Sequence, residues 1–316
     1  MSLTRNWRVK GIVQGILSLI PGGVNANDLL QKRLGGLAQF DRNIKAKVDD
    51  WSLMMTYLRA AGARSVEGWK ALETGTGWCP VLPVCFILAG ARSVCAVDLN
   101  RHISEELTLR MIRGLEPHLP DIAAKSGRAH SSVEEHWRRL AAADSLTSLL
   151  AAAHIDYRAP QDAGKLDWIA DGALNLVFSN SVFEHIPPPV IPRLLRESRR
   201  VLAADGLIAH EVACNDHYAN FDSGVSFVNY LQYPEWRWRF WNNRIQYQNR
   251  LRAPDFTRMA RENGFRIVHE ARHINPGTRE ALAGMRVASM FSHYSQDDLA
   301  STTVDFVAAK SPESVL

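Results

Sequence analysis

The stretch ALETGTGWCP, residues 71–80, sets a carboxylate beside a glycine turn: Glu73 precedes Gly75, and Gly77 follows one residue later. Two glycines so spaced behind a short apolar run suit a tight turn whose backbone comes close to a ligand. The common ligand of such a turn is a nucleotide lying across the carboxyl ends of a sheet. A diphosphate fits poorly, because Trp78, Cys79 and Pro80 follow Gly77 without a third glycine, and Glu73 would oppose the anion. A cationic or hydroxyl-bearing ligand fits better. Asp98, closing the apolar run SVCAVDLN, stands where such folds hold a ribose diol.

Proton-transfer groups cluster further on. FEHI carries Glu184 and His185, and HEVACNDHY carries His210, Glu211, Asp216, His217 and Tyr218. Histidine is the natural base near neutral pH. His217, just past an apolar strand, is the first candidate; His185 is the second, and Asp216 adjoins the first. His210, Asp216, His217 and Asp222 are also metal-ligand types. His210 lies inside a strand, however, and no spacing specifies a geometry, so no metal is expected.

The elements that must position these groups alternate. Residues 1–63 read as a helical extension in which Trp51, Met54, Met55 and Leu58 share a face, with a stop at Gly62. Residues 64–316 then run strand, helix, strand: a strand ending in ALETG, a helix in PVLPVCFILAG, a strand in SVCAVDLN, and helices from about His102 to Ala153 with breaks near Pro120 and Ser131. HIDYRA and LNLVFSNS are strands, PPPVIPRLLRESRRVL is a helix, and LIAHEV is a strand. This rhythm predicts a parallel α/β sheet. It lapses over about 215–252, a segment rich in aromatics and arginines, and resumes with the helix APDFTRMARENGF and the strands RIVHEARHI and TTVDFVAAK.

ALETGTG, CAVDLN, LNLVFSNSVFEHI and LLRESRRVLAADGLIAHEV, in that order, resemble class I S-adenosylmethionine-dependent methyltransferases. The tail FTRMARENGFRIV with TTVDFVAAK resembles that family's last helix and antiparallel hairpin. The resemblance implies a Rossmann-like doubly wound sheet of seven strands, mostly parallel with an antiparallel last strand, and S-adenosyl-L-methionine as cofactor. Glu73, Gly75 and Gly77 match the motif lining the methionine part, and Asp98 with Leu99 the ribose site. Asp162 and Ala163 match the place that reads the adenine edge, with Asp156 as a second candidate, and Asn180, Ser181 and Phe183 the motif beneath the sulfonium. Cys79 stands where a third glycine is usual, and Asn175 where an aspartate is frequent.

Residues 215–252 lie where such folds hang a substrate cap. Tyr218, Trp236, Trp238, Phe240 and Trp241 alternate there with Arg237, Arg239, Arg244, Arg250 and Arg252. Most of the rings are expected to fasten the excursion to the body, with most of the arginines solvated. A wall for a small-molecule or saccharide-type acceptor is the sharper reading. Single-stranded RNA also suits rings alternating with arginines, but a net charge of +4 on 316 residues gives little electrostatic support.

The expected activity is methyl transfer to an oxygen nucleophile with histidine assistance. A macromolecule methyltransferase, a nicotinamide-dependent oxidoreductase and an inactive scaffold are the alternatives. Four cysteines without metal spacing, three of them in apolar runs, suit a reducing cytoplasm. The apolar run GIVQGILSLIPGG is too short to cross a bilayer; it is read as an amphipathic helix packing on the body, or as a peripheral membrane contact. The oligomeric state is open, a homodimer included.

Overall fold

The computed structural model describes residues 6–20 and 40–312. Residues 21–39, part of the stretch expected to be helical, lie outside the described residues.

Helix α1 (Trp7–Leu19) and helix α2 (Phe40–Ala60) precede the sheet. In α2, Phe40, Ile44, Val48, Trp51, Met55 and Leu58 recur every three or four residues, and all are buried. Gly62 follows at a φ of +100°, a conformation that costs glycine little.

Seven strands form one sheet: β1 (Lys70–Thr74), β2 (Ser93–Val97), β3 (Ile155–Arg158), β4 (Leu174–Asn180), β5 (Leu202–Ala213), β6 (Phe265–His273) and β7 (Thr303–Lys310). Their spatial order is β3-β2-β1-β4-β5-β7-β6. β7 alone runs antiparallel to its neighbours, β5 and β6. The chain reverses between β1 and β4, which opens a crevice at the carboxyl ends of these strands.

Helix α3 (Val81–Leu88) links β1 to β2 and is buried at every residue, because helix and sheet enclose it from all sides. Four helices join β2 to β3: α4 (Glu105–Gly114), α5 (Leu119–Ser126), α6 (His130–Ala141) and α7 (Leu146–Ala152). Pro120 sits in the first turn of α5, where its missing N–H costs nothing, so it opens a helix instead of breaking one. Helix α8 (Ile191–Val201) turns Ile191, Leu194, Leu195 and Val201 inward and leaves its arginines on the other side. One core joins α2–α7 to one face of the sheet. A second core joins the opposite face to α8 and to the helix Ala253–Glu262.

The third apolar cluster was not foreseen as a unit. Trp7 of α1, Tyr218, Tyr230 and Trp238 of the 215–252 segment, and Leu282, Phe291 and Leu299 from the connection before β7 pack together. Two arginines expected to be solvated are buried here. Arg252 is wholly inaccessible. It donates to the carbonyls of Cys214 (2.5 Å), Asp298 (3.0 Å), Leu299 (3.0 Å) and Ser301, and to the Tyr230 hydroxyl (2.7 Å). Arg250 donates to the Tyr230 and Tyr233 carbonyls and to Glu235. Where the backbone is irregular its carbonyls need donors, and a guanidinium carries five.

Helix α1 packs on the body, but not by its apolar stripe. Trp7, Gly11 and Gln14 are buried, whereas Ile16 and Leu19 are 56% and 85% exposed. Trp7 lies 4.8 Å from the Trp241 ring and 5.1 Å from Tyr218. A Cβ at Gly11 would come within 2.9 Å of Trp241, so the glycine makes the notch into which that ring fits. Among the described residues no helix is long and apolar enough to cross a membrane.

Candidate active site

The turn after β1 is built by two glycines with positive φ. Gly75, at +79°, donates to the Val97 carbonyl at 2.8 Å, and a Cβ there would strike Val182 at 2.5 Å. Gly77, at +69°, has nothing within 4 Å of where a Cβ would stand, so its exposed side faces open space. Its N–H donates to Asp98 Oδ2 at 3.0 Å, while Asp98 Oδ1 accepts from Asn100 N–H at 3.2 Å. Asp98 thereby ties the end of β2 to the turn after β1. Leu99 beside it is 66% exposed, an apolar side chain left bare at the rim.

A cleft of about 350 Å³ opens over this turn. Glu73, Gly75, Thr76 and Gly77 form one wall, Asn180 and Ser181 another, and Phe40, Ile44 and Lys47 of α2 the roof. Glu73 is 5% exposed, and its Oε2 has no hydrogen-bond partner. Burial pushes its carboxyl up to about 8. Lys47 Nζ donates to Asn180 Oδ1 and lies 3.9 Å from Asp50 Oδ2.

At the end of β4 the backbone turns sharply, with Ser181 at a φ of +56°. The Ser181 hydroxyl and the Asn180 amide both donate to Glu211 Oε2, at 2.8 and 3.0 Å, and Asn180 also donates to Asp50. Burial, with Asp50 adding its charge, raises Glu211 to about 7, against the pull of Lys47. Four acids, Glu73, Asp50, Glu211 and the buried Glu184, thus feel the single ammonium of Lys47.

Of the residues expected from sequence, Glu73, Gly75, Gly77, Asn180 and Ser181 line the cleft, and Asp98 adjoins it through Gly77. The loop bearing Asp162 and Ala163 follows Gln161, whose N–H donates to the Asp98 carbonyl. Asp162 itself is engaged: it accepts from Gly164 N–H at 2.8 Å and from Arg193 at 2.7 Å. Asp156 pairs with Arg158. Phe183 departs from its expected place under the sulfonium. It is buried in the second core, its ring 4.3 Å from His210 and 6.4 Å from Phe256, because the tight turn at Ser181 swings the chain back inward.

His185 and His217 stand together, ring centroids 5.0 Å apart, and neither lines the glycine-turn cleft. Burial and the neighbouring His185 push His217 down to about 3. Asp216 is enclosed in the cap, where it accepts from Tyr218 N–H and from Asn229 Nδ2. Asp222 accepts from Trp7 N–H, fastening α1, and His210 pairs with Ser179 Oγ.

Lys47 is the participant that reading the sequence missed. On the polar face of a helix it looks like a solvated charge; only the docking of α2 over the strand ends places it in the cleft. Glu211 was visible as one acid among several candidates, with nothing to single it out.

A family model described as a methyltransferase domain matches residues 49–270, more than half of the chain. No curated protein matches its sequence. Among solved structures, the geranyl diphosphate C-methyltransferase of Streptomyces coelicolor A3(2) is 12% identical at a TM-score of 0.46, covering 86% of this chain and 84% of that one. An S-adenosylmethionine dependent methyltransferase from Mesorhizobium loti is 15% identical at a TM-score of 0.44, covering 80% and 95%. With its motifs and its seven-stranded sheet accounted for, the chain belongs to the methyltransferase-domain family and is a class I S-adenosylmethionine-dependent methyltransferase.

Proposed function

We propose that the protein methylates an oxygen of a small-molecule or saccharide-type acceptor held between the strand ends and a cap formed by about residues 215–252. The observation that carries this reading is a buried acid in the cleft with one unpartnered oxygen, Glu73, together with a titratable acid at its edge, Glu211.

The cleft suits the cofactor. Glu73 Oε2 lacks a partner that a cationic amino group would supply, and the bare side of Gly77 leaves backbone free to approach. Glu73, Gly75 and Gly77 would hold the methionine part, Asp98 and Leu99 the ribose, Asp162 and Ala163 the adenine edge, and Asn180 and Ser181 the region beneath the sulfur. When bound, the cofactor supplies a methyl group on a cationic sulfur, which becomes a neutral thioether once the acceptor oxygen has formed its new C–O bond.

The protein's own part is alignment, exclusion of water and removal of one proton. Alignment alone can supply on the order of 7–11 kcal/mol. Glu211 takes the acceptor's proton, because a group titrating near 7 is the best compromise between being ionised and being basic. We assign this role to Glu211 instead of His217, whose ring, lowered to about 3, is neutral but a weak base. The buried Arg250 and Arg252 also leave fewer arginines for a phosphate backbone, which favours a small acceptor over RNA.

The test is release of S-adenosylhomocysteine from a fractionated metabolite pool. The expected result is acceptor-dependent turnover that rises with pH through about 7, and that falls in Glu211→Gln by roughly 10²–10⁴-fold with cofactor affinity kept. Turnover that is unchanged in that variant removes Glu211 from the reaction. Cofactor binding without turnover on any fraction favours an inactive scaffold.

A further inference from the structure

Beside the cleft, a second cluster has no part in the chemistry above. Glu184 and His185 lie in the short turn after β4, and His217 in the one after β5, so the two central strands deliver them to one place. Each offers a ligand atom, and these atoms lie within 4.8 Å of one another. Glu184 is only 1% exposed, yet neither of its carboxylate oxygens has a hydrogen-bond partner. A carboxylate that far from water is costly to keep without a positive partner, and among the described residues none bonds to it.

We propose that Glu184, His185 and His217 form a binding site for a divalent metal ion. Two imidazoles and one carboxylate suit borderline ions such as zinc or cobalt, and three protein ligands leave positions open for water or an acceptor oxygen. The surroundings are built for ligation. His185 Nδ1 donates to the Tyr247 carbonyl at 2.8 Å, which fixes the ring and presents Nε2 as a lone-pair donor. His217 is held by its backbone N–H on Gln248 Oε1 at 3.2 Å, and Asn249 N–H on the Glu184 carbonyl at 2.7 Å clamps the other side. One segment, residues 247–249, therefore braces all three. Lys10, over the Phe221 ring at 4.7 Å, is near enough for its charge to act on His217, and so it opposes a cation there.

The test requires neither cofactor nor acceptor. The chelator-treated full chain is titrated with cobalt(II) alone, followed by its visible d–d bands and by calorimetry. One equivalent is expected to bind with a band characteristic of mixed nitrogen and oxygen ligation. His217→Ala and His185→Ala are each expected to weaken it about 100-fold or more, beyond the usual cost of an outer-shell change. His130→Ala, on exposed α6, is expected to leave it unchanged. S-adenosylhomocysteine binding, measured separately, reports on the folded cofactor cleft and so distinguishes a failure of this site from a failure of the enzymatic reading. Absence of stoichiometric cobalt binding by the folded chain overturns the proposal, and so does binding that survives both histidine substitutions.

Discussion

Replacing Glu73 by glutamine should reveal a proton stored in the cleft. Burial raises this carboxyl from the usual 4.5 to about 8, so at neutral pH the free protein holds it protonated. A group raised on folding contributes stability that is fully present below its unfolded value and is lost as pH climbs through its folded one. Between pH 4.5 and 7 that loss amounts to roughly 3 kcal/mol, at about 1.4 kcal/mol per pH unit. Glu73→Gln carries no titrating proton there, so its stability should fall by that much less over the same interval. Comparing slopes isolates Glu73 from Glu211 and Asp305, which are also raised. Binding should show the same proton from the other side. A cationic amino group seated against Glu73 favours the carboxylate, so S-adenosylhomocysteine should displace about 0.9 proton at pH 7, the protonated share of a group titrating near 8. Calorimetry in buffers of differing ionisation enthalpy counts it. A count near zero in the wild type, or the same count in Glu73→Gln, refutes the argument.

Lys47→Met should remove from Glu73, Glu211 and Asp50 the cation that now pulls each of them down, so all three rise further. Its stability should therefore drop more steeply than the wild type's between pH 5 and 8 in urea titrations; parallel curves would show that Lys47 does not govern these acids. Arg252→Met should cost at least about 3 kcal/mol, because five acceptors in three segments lose a charged donor, only the Cys214 carbonyl keeping another in the Tyr230 hydroxyl, and hydrogen bonds to charged groups count for about 1.5–3 kcal/mol each. A loss below 1 kcal/mol in chemical denaturation would mean that water or a rearranged cap replaces the guanidinium.

Much of the sheet could be read from the sequence because each strand is an apolar run with a turn signal at its end, and the helix α8 shows its inward face through its spacing. Glu73, Gly75, Gly77 and Asp98 were visible for a related reason. A glycine pair behind an apolar run is a local signal, and their partnership requires only that β1 and β2 be neighbours. Lys47, Arg250 and Arg252 were not visible. Their roles depend on which surface α2 or the cap comes to rest against, and charged residues on a polar face look alike until it does. The docking of α1 eluded the pattern because a glycine notch and one tryptophan decide it, against the evident apolar stripe. Phe183 fits the motif order but follows a positive-φ serine, a backbone turn that no side-chain pattern announces.

The account stands on the cleft between the β1 turn and Asp98 being the cofactor's seat. Calorimetric titration of the wild type and Asp98→Ala with S-adenosylhomocysteine tests this most directly. Saturable one-to-one binding, weakened about 30- to 150-fold by the substitution, is the predicted result, equal to the 2–3 kcal/mol of a charge-assisted contact. Equal affinity in the two proteins, or no binding to either while both remain folded, would contradict it.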